Sequence, residues 1–348
     1  MNELAVDSWT DELQRLILQD RPRIYQEASA GVWISDASPL VYESNRGLVF
    51  DLASLTKGLF TAPKIFEFSA EYGIPLGKPI KYFASQVLSK RLSRDLLSIS
   101  LSELLSHSSG LSPWMNTYTE CMGTEFGSYH DKLIFHLNRM KVSLKTEQYS
   151  DVGFLLLGLL LETETGKSLQ THLADWNQRS GSKLQFSPVE RPAASTGFCG
   201  LRARVLAGEV HDENCAFLGG ATGHAGLFGT LDDVKIHLKW LLESPLGRYF
   251  LHENALSRRL IDGGRDGLLG LRQGNGKYSC GFGGGFSVGH LGFTGTAFWI
   301  EPTTRSFVIH LTNRVIVGRR SRGIMESRKK ICDFAGSVVR AVSLQKPF

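Results

Sequence analysis

Little in this 348-residue chain points to a membrane, a covalent framework or a fibrous repeat. Its longest strongly apolar run, Val152 to Leu161, is ten residues. About 20 are needed to cross a bilayer, so this run reads as a buried helix and no membrane span is expected. The five cysteines, Cys121, Cys199, Cys215, Cys280 and Cys332, are far apart, odd in number and form no Cys-x-x-Cys. That pattern argues against a disulfide framework and against a structural zinc site. Charge of a single sign is also lacking: 39 basic residues face 34 acidic ones, for a net +5. The densest basic run is Arg319, Arg320, Arg322, Arg328, Lys329 and Lys330, interrupted by Glu326. It reads as a solvated helix face, and with no aromatic platform or zinc-finger spacing beside it nucleic-acid binding is not expected.

The amino terminus lacks the basic-then-apolar layout of a secretion signal. It is acidic and amphipathic instead, with Leu13, Leu16 and Ile17 able to pack on one side of a helix. A reduced, cytoplasmic protein is the expectation. An exported chain whose signal had been removed, and so periplasmic, would read the same. The composition, 42% hydrophobic and 21% charged, is that of a globular chain with material for a large core in one or two domains.

Along the chain there is neither an internal repeat nor a low-complexity linker. Ala30–Ile34 and Leu48–Leu52 read as short strands. Helical character follows from Ser54 to about Ala70 and ends at Tyr72-Gly73-Ile74-Pro75. Helical signals then dominate to about Ser180, including Asp151–Glu164 closed by Gly166. Beyond Arg202 the chain is glycine-rich, with a helix near Asp232–Leu242. Strand-like runs follow at Tyr278–Val288, Phe293–Glu301 and Ser306–Leu311, and a last helix covers about Ser321–Ser343. Strands at both ends and helices between them predict an α+β fold into which a helical lobe is inserted. The expected division is 1–70 with 202–348 for the sheet part and 71–201 for the helical lobe, with a site in the cleft between them.

Three stretches carry chemistry. In Ser54-Leu55-Thr56-Lys57, residues three apart share a helix face, so the Lys57 amine can reach the Ser54 hydroxyl. A serine needs a base to become a nucleophile, and lysine serves as one only if its pKa falls, which burial promotes. Tyr149-Ser150-Asp151 precedes the apolar helix and can project a phenol into a cleft as a proton relay, or merely pack there with Asp151 as amino cap. His290-Leu291-Gly292-Phe293, in a glycine-rich strand region, can offer a backbone N–H to a developing oxyanion.

Taken in order, Ser-x-x-Lys, a Tyr-Ser-Asn-like triplet and a Lys-Thr-Gly-like triplet resemble the signature set of the penicillin-recognising serine enzymes. The words LLSHSSGL, YSDVGFLLLGLLLETETGKSL, VHDENCAFLGGATGHAGLFGTLDDV and HLGFTGTAFWIEP are similar to those of class C β-lactamases and their esterase relatives, over roughly residues 30–315. The resemblance implies a five-stranded antiparallel sheet flanked by helices, plus an all-helical lobe. It implies an acyl-enzyme on Ser54, with Lys57 and Tyr149 sharing acid–base duties and the Ser54 and Phe293 backbone N–H groups holding the oxyanion. Which of Lys57 and Tyr149 takes the first proton stays open. It implies no cofactor, and Asp151, His290, Leu291 and Gly292 as substrate contacts.

The departures narrow the substrate. His290 and Leu291 replace the lysine and hydroxyl that hold a substrate carboxylate in β-lactamases and D-alanyl peptidases. Losing one charge-assisted bond costs about 1.5–3 kcal/mol, tenfold or more in affinity. Asp151 in place of asparagine adds a carboxylate that repels an anionic substrate unless neutralised. An esterase or D-amino-acid peptidase acting on a small molecule or peptidoglycan-derived fragment is the expectation. The alternatives are a class C-like β-lactamase and a catalytically silent ligand-binding protein. Two further patterns read as decoys. Gly285-Phe286-Ser287-Val288-Gly289 matches a nucleophile elbow but is not followed by a helix pattern. His211, Asp212, Glu213 and His224 lack a helical zinc spacing and read, with Asn214, as a loop network beside the cleft. His107 is expected to be a structural hydrogen-bonding histidine.

Overall fold

The computed structural model describes residues 3–35, 39–120, 127–143, 147–260, 268–273, 287–320 and 322–344. Its main sheet is antiparallel throughout, in the spatial order Leu40–Glu43, Ala28–Trp33, Ser306–Thr312, Ala297–Glu301, Val288–Leu291 and Arg272–Gln273. That is six strands where five were expected. The sixth is a two-residue edge, Arg272–Gln273 against Val288 and Gly289, whose polar pair carries no apolar alternation to announce it.

Both faces of the sheet are covered. Trp299 and Val308 point into a core shared with Leu13 and Ile17 of the first helix, Glu3–Asp20, and Ile331, Ala335 and Val338 of the last, Ile324–Leu344. Phe298, Ile300, Phe307 and Ile309, one step along the same strands, point to the opposite core with Leu55, Leu59 and the helical region. The period-2 alternation of side chains thus places apolar residues on both sides, which is why Ser306–Thr312 is buried at all seven positions. The first helix packs as read, with Leu13 and Ile17 fully buried and Leu16 partly so.

Between residues 86 and 180 the structure is built from helices started by serines. Ser85, Ser93, Ser100, Ser128, Ser150 and Ser168 each accept the N–H three residues on. The apolar run lies in the helix Asp151–Thr165, whose residues from Val152 to Glu162 are all buried. Its amino cap is Ser150; Asp151 is released from the capping role considered for it. Among the described residues no helix is long and apolar enough to cross a membrane.

Several boundaries move. Leu48–Leu52 contracts to Phe50–Asp51 and joins a separate three-stranded sheet with Leu227–Gly229 and Gln185–Phe186. Phe293–Thr296 forms a turn, so the strand starts at Ala297. Most of Tyr278–Val288 lies outside the described residues. Cys199 and Cys215 are free thiols, but Cys332 is disulfide-bonded, which corrects the expectation of a fully reduced chain. Arg328, read as solvated, is buried at 6% exposure because the last helix packs on a face of the sheet and the guanidinium meets the Gly292, Gly295 and Thr296 carbonyls.

Candidate active site

Ser54 owes its position to its neighbour Asp51. One Asp51 carboxylate oxygen accepts the Ala53 N–H at 2.9 Å and the other the His211 N–H at 2.7 Å. This tight turn holds Ala53 at φ +49°, a left-handed conformation that a non-glycine residue adopts at a cost of about 1–3 kcal/mol. The chain then enters a π-helical turn, Lys57–Thr61, continued by the α-helix Ala62–Tyr72. Burial pushes the Asp51 carboxyl up to about 6, helped by the negative Asp212 nearby and opposed by its two N–H donors.

Lys57 is fully buried. Its Nζ donates to Ser54 Oγ at 3.1 Å and to the His224 carbonyl at 2.8 Å, and pairs with Asp151 Oδ1 at 2.7 Å. A carboxylate at that distance favours the ammonium form. Burial acts to lower this pKa, but the Asp151 carboxylate and the Tyr149 phenol together outweigh it, and the net direction is upward. The direction is opposite to the one expected from burial alone. The ion pair also answers the repulsion expected of Asp151, whose charge is paired with Lys57.

Tyr149 stands beside this ammonium, its ring centroid 5.3 Å from Lys57 Nζ and 5.2 Å from the Arg272 guanidinium carbon. Its ring rests on His107, with centroids 4.4 Å apart. His107 has the structural role expected: its Nδ1 accepts the Ser150 N–H at 3.1 Å. Burial, reinforced by Lys57 and Arg272, pushes the imidazole down to about 3, so it stays a neutral acceptor.

The opposite wall is the 292–296 turn, tied to the segment that precedes Ser54 by Thr294 Oγ1 donating to the Asp51 carbonyl at 2.7 Å and Thr296 Oγ1 to the Leu52 carbonyl at 3.1 Å. These bonds bring Phe293 to the same cavity as Ser54. That cavity, about 650 Å³, is lined by Ser54, Tyr149, Asp151, Leu291, Gly292 and Phe293 among others. His290 is not among the lining residues. It is buried behind them, and burial together with Arg272 and Lys57 holds its pKa well below the usual range, so it offers no charge to a substrate.

Spacing alone does not reveal other parts of the lining, among them Trp114 and Tyr118 from the helical region and Arg272, Arg314, Arg319 and Arg328 from three separate segments. Only the basic run hinted at two of these arginines: Arg319 is exposed as read, whereas Arg328 is buried. The 211–214 block forms the network expected of it. Asp212 caps the helix Glu213–Phe217 and pairs with His224 Nε2 at 3.0 Å, Glu213 pairs with Arg319, and Asn214 bridges Thr117 and the Met115 carbonyl. Asp151, Asp212 and His224 bring ligand-type atoms within 4.8 Å of one another, but the Lys57 ammonium already supplies the positive charge at that point. Ser287 is fully buried and leads into the strand Val288–Leu291, not a helix, so it lacks the geometry of an exposed elbow; Gly285 and Phe286 lie outside the described residues.

The described fold matches solved structures across nearly its whole length. A penicillin-binding protein homologue from Pyrococcus abyssi, described as octameric, aligns with TM-score 0.68 and 18% identity over 95% of this chain and 77% of that one. A class C β-lactamase from Rhodobacter sphaeroides aligns with TM-score 0.66 and 14% identity over 97% and 99%. Among curated relatives, an N-acetylmuramyl-L-alanine amidase of Bacillus subtilis is 29% identical over 275 residues, 69% of this chain and 62% of its own length. The chain thus spans under two thirds of that relative. A protein of Escherichia coli K12 described as a "Putative D-alanyl-D-alanine carboxypeptidase" is 25% identical over 350 residues, covering 89% and 80%. A family model described as Beta-lactamase matches residues 23–324, and with Ser54 and Tyr149 lining one cavity and Lys57 buried beside them the chain belongs to the β-lactamase family.

Proposed function

We propose that this protein is a serine hydrolase that cleaves an amide or ester in a peptidoglycan-derived fragment through an acyl-enzyme on Ser54. The observation that carries the reading is the Ser54 Oγ–Lys57 Nζ contact of 3.1 Å at the edge of the cavity, with Tyr149 beside the same ammonium. The names of the amidase and carboxypeptidase relatives support the substrate class.

The Asp151 partner of Lys57 supports one division of the roles. An ammonium has no lone pair to take a proton, so Tyr149 acts as the relay: its oxygen takes the Ser54 proton as its own O–H proton passes to the leaving nitrogen or oxygen, while Lys57 stabilises the negative charge developing on the Ser54 oxygen. Ser54 Oγ bonds to the carbonyl carbon, and the carbonyl oxygen takes the negative charge between the Ser54 and Phe293 backbone N–H groups. The bond to the leaving group breaks as the Tyr149 proton arrives. A water then repeats the sequence on the acyl-Ser54 ester and releases the acid. Leu291 and Gly292 line the substrate's path, and Asp151 acts through Lys57.

The test is intact-mass spectrometry with muropeptides, a nitrophenyl ester and nitrocefin. The expected result is an adduct on Ser54 with the first two substrates, abolished in Ser54→Ala and slowed at least a hundredfold in Tyr149→Phe, with nitrocefin turned over poorly. An adduct on another residue, or turnover by Ser54→Ala, overturns the reading.

A further inference from the structure

We propose that Arg328 is a positioning residue for the oxyanion site, clamping from the last helix the turn that carries the Phe293 N–H. The inference rests on the acyl-enzyme reading above.

The guanidinium reaches three carbonyls of that turn. Nη2 donates to Gly292 O at 2.6 Å and to Thr296 O at 2.9 Å, and Nε donates to Gly295 O at 3.3 Å. Among the described residues its remaining nitrogen, Nη1, meets the Met325 sulfur at 3.5 Å and no oxygen. The other two carbonyls of the turn are held from the neighbouring segment. Phe293 O accepts Arg314 Nε at 2.8 Å, and Thr294 O accepts the Arg314 N–H at 2.9 Å. Every carbonyl from 292 to 296 is therefore engaged. The turn is fixed on its acceptor side, leaving the Phe293 N–H available to a substrate.

Arg328 is an expensive way to achieve this. It is buried, and among the described residues no carboxylate pairs with it. A buried cation without an anion is costly compared with an apolar side chain of similar volume. Burial, with Arg314 and Arg272 nearby, draws its pKa down to about 9, the signature of that cost. A methionine would fill the space, but only a planar fork reaches three carbonyls at fixed angles.

Arg328→Met and Arg328→Lys are compared with wild type for kcat and KM on a nitrophenyl ester. Affinity for a phenylboronic acid, whose tetrahedral adduct places an oxygen in the oxyanion site, and the thermal midpoint are measured alongside. We expect kcat of Arg328→Met to fall tenfold or more with KM within threefold, boronate affinity to fall in parallel, and Arg328→Lys to recover part of both. A fluorophosphonate still labels Ser54 in both variants. A folded variant with wild-type kcat overturns the proposal, as does lower kcat with unchanged boronate affinity. A loss confined to KM for anionic substrates does so too, because it makes Arg328 a substrate contact. If Arg328→Met does not fold, Arg328→Lys carries the same comparison. Failure of wild type to label at Ser54 refutes the hydrolase reading instead of this one.

Discussion

Lys57 sits where two opposing effects are large, and the winner sets the chemistry. Full burial disfavours its charge, while Asp151 at 2.7 Å and Tyr149 favour it more. Removing the Asp151 charge should tip the balance. In Asp151→Asn the Lys57 pKa falls, so the ammonium is lost at lower pH and the alkaline limb of the kcat/KM profile moves down by about one unit or more. An unmoved limb, read from a full pH–rate profile, would show that Asp151 does not hold the lysine's proton. His310 is the converse case, a buried imidazole with both nitrogens unpartnered and its pKa pushed down to about 3 by burial and then Arg328. Its ring packs edge-on against Tyr25 at 5.8 Å. Phenylalanine keeps that contact and removes two unsatisfied atoms, so His310→Phe should raise stability by about 1 kcal/mol at pH 7 in urea titration, and by more at pH 5. Spacing made the Ser54–Lys57 contact legible, because three residues apart on a helix is a local relation. It could not reveal the lysine's charge state, which depends on a carboxylate from the far side of the cleft.

Among the elements, the helix Asp151–Thr165 does the most to set the site. It holds Tyr149 and Asp151 at its start through the Ser150 cap and presents Gly158 to the 219–226 loop. A Cβ on Gly223 would stand 2.0 Å from the Phe154 carbonyl oxygen. Gly223→Ala must therefore move the loop that offers the His224 carbonyl to Lys57. We expect kcat to fall at least tenfold, with a loss of about 1–3 kcal/mol in denaturant titration; an enzyme of unchanged kcat would show that this approach is not needed. Ser150→Ala should cost about 1 kcal/mol by the same measurement, since Ser150 Oγ accepts the Gly153 N–H and donates to the Ser112 carbonyl at 2.7 Å. The helix itself was legible from its apolar run and Gly166. Its cap was only half legible, because Ser150 and Asp151 are both good caps and the backbone geometry chooses between them. The two-residue strand Arg272–Gln273 was not legible at all: it exists only because Val288 and Gly289 offer it an edge.

For the molecule as a whole, burial of titratable groups predicts the response to acid. His107 and His310 are pushed down to about 3, and His172, His211 and His237 to about 4, chiefly by burial. In the unfolded chain each titrates near 6.5. Between those values the unfolded state binds more protons, so stability is complete above about 6.5 and is lost as pH falls toward 4 and 3. Asp51, raised to about 6, and Glu162, raised to about 7, act in the opposite sense over part of that range but are fewer. The urea midpoint should therefore drop between pH 6 and pH 4, and a flat or rising midpoint would contradict these burial assignments.

The order of motifs, the helical character around Ser54 and Asp151, and the α+β pattern follow from relations between residues close along the chain, which operate before anything folds. The burial of Arg328, the protonation of Lys57, the retreat of His290 behind the cavity and the sixth strand follow from desolvation and from partners that only long-range packing supplies. No local pattern encodes them, because the dielectric and the neighbours of a side chain exist only once the sheet and the helical region have closed over it.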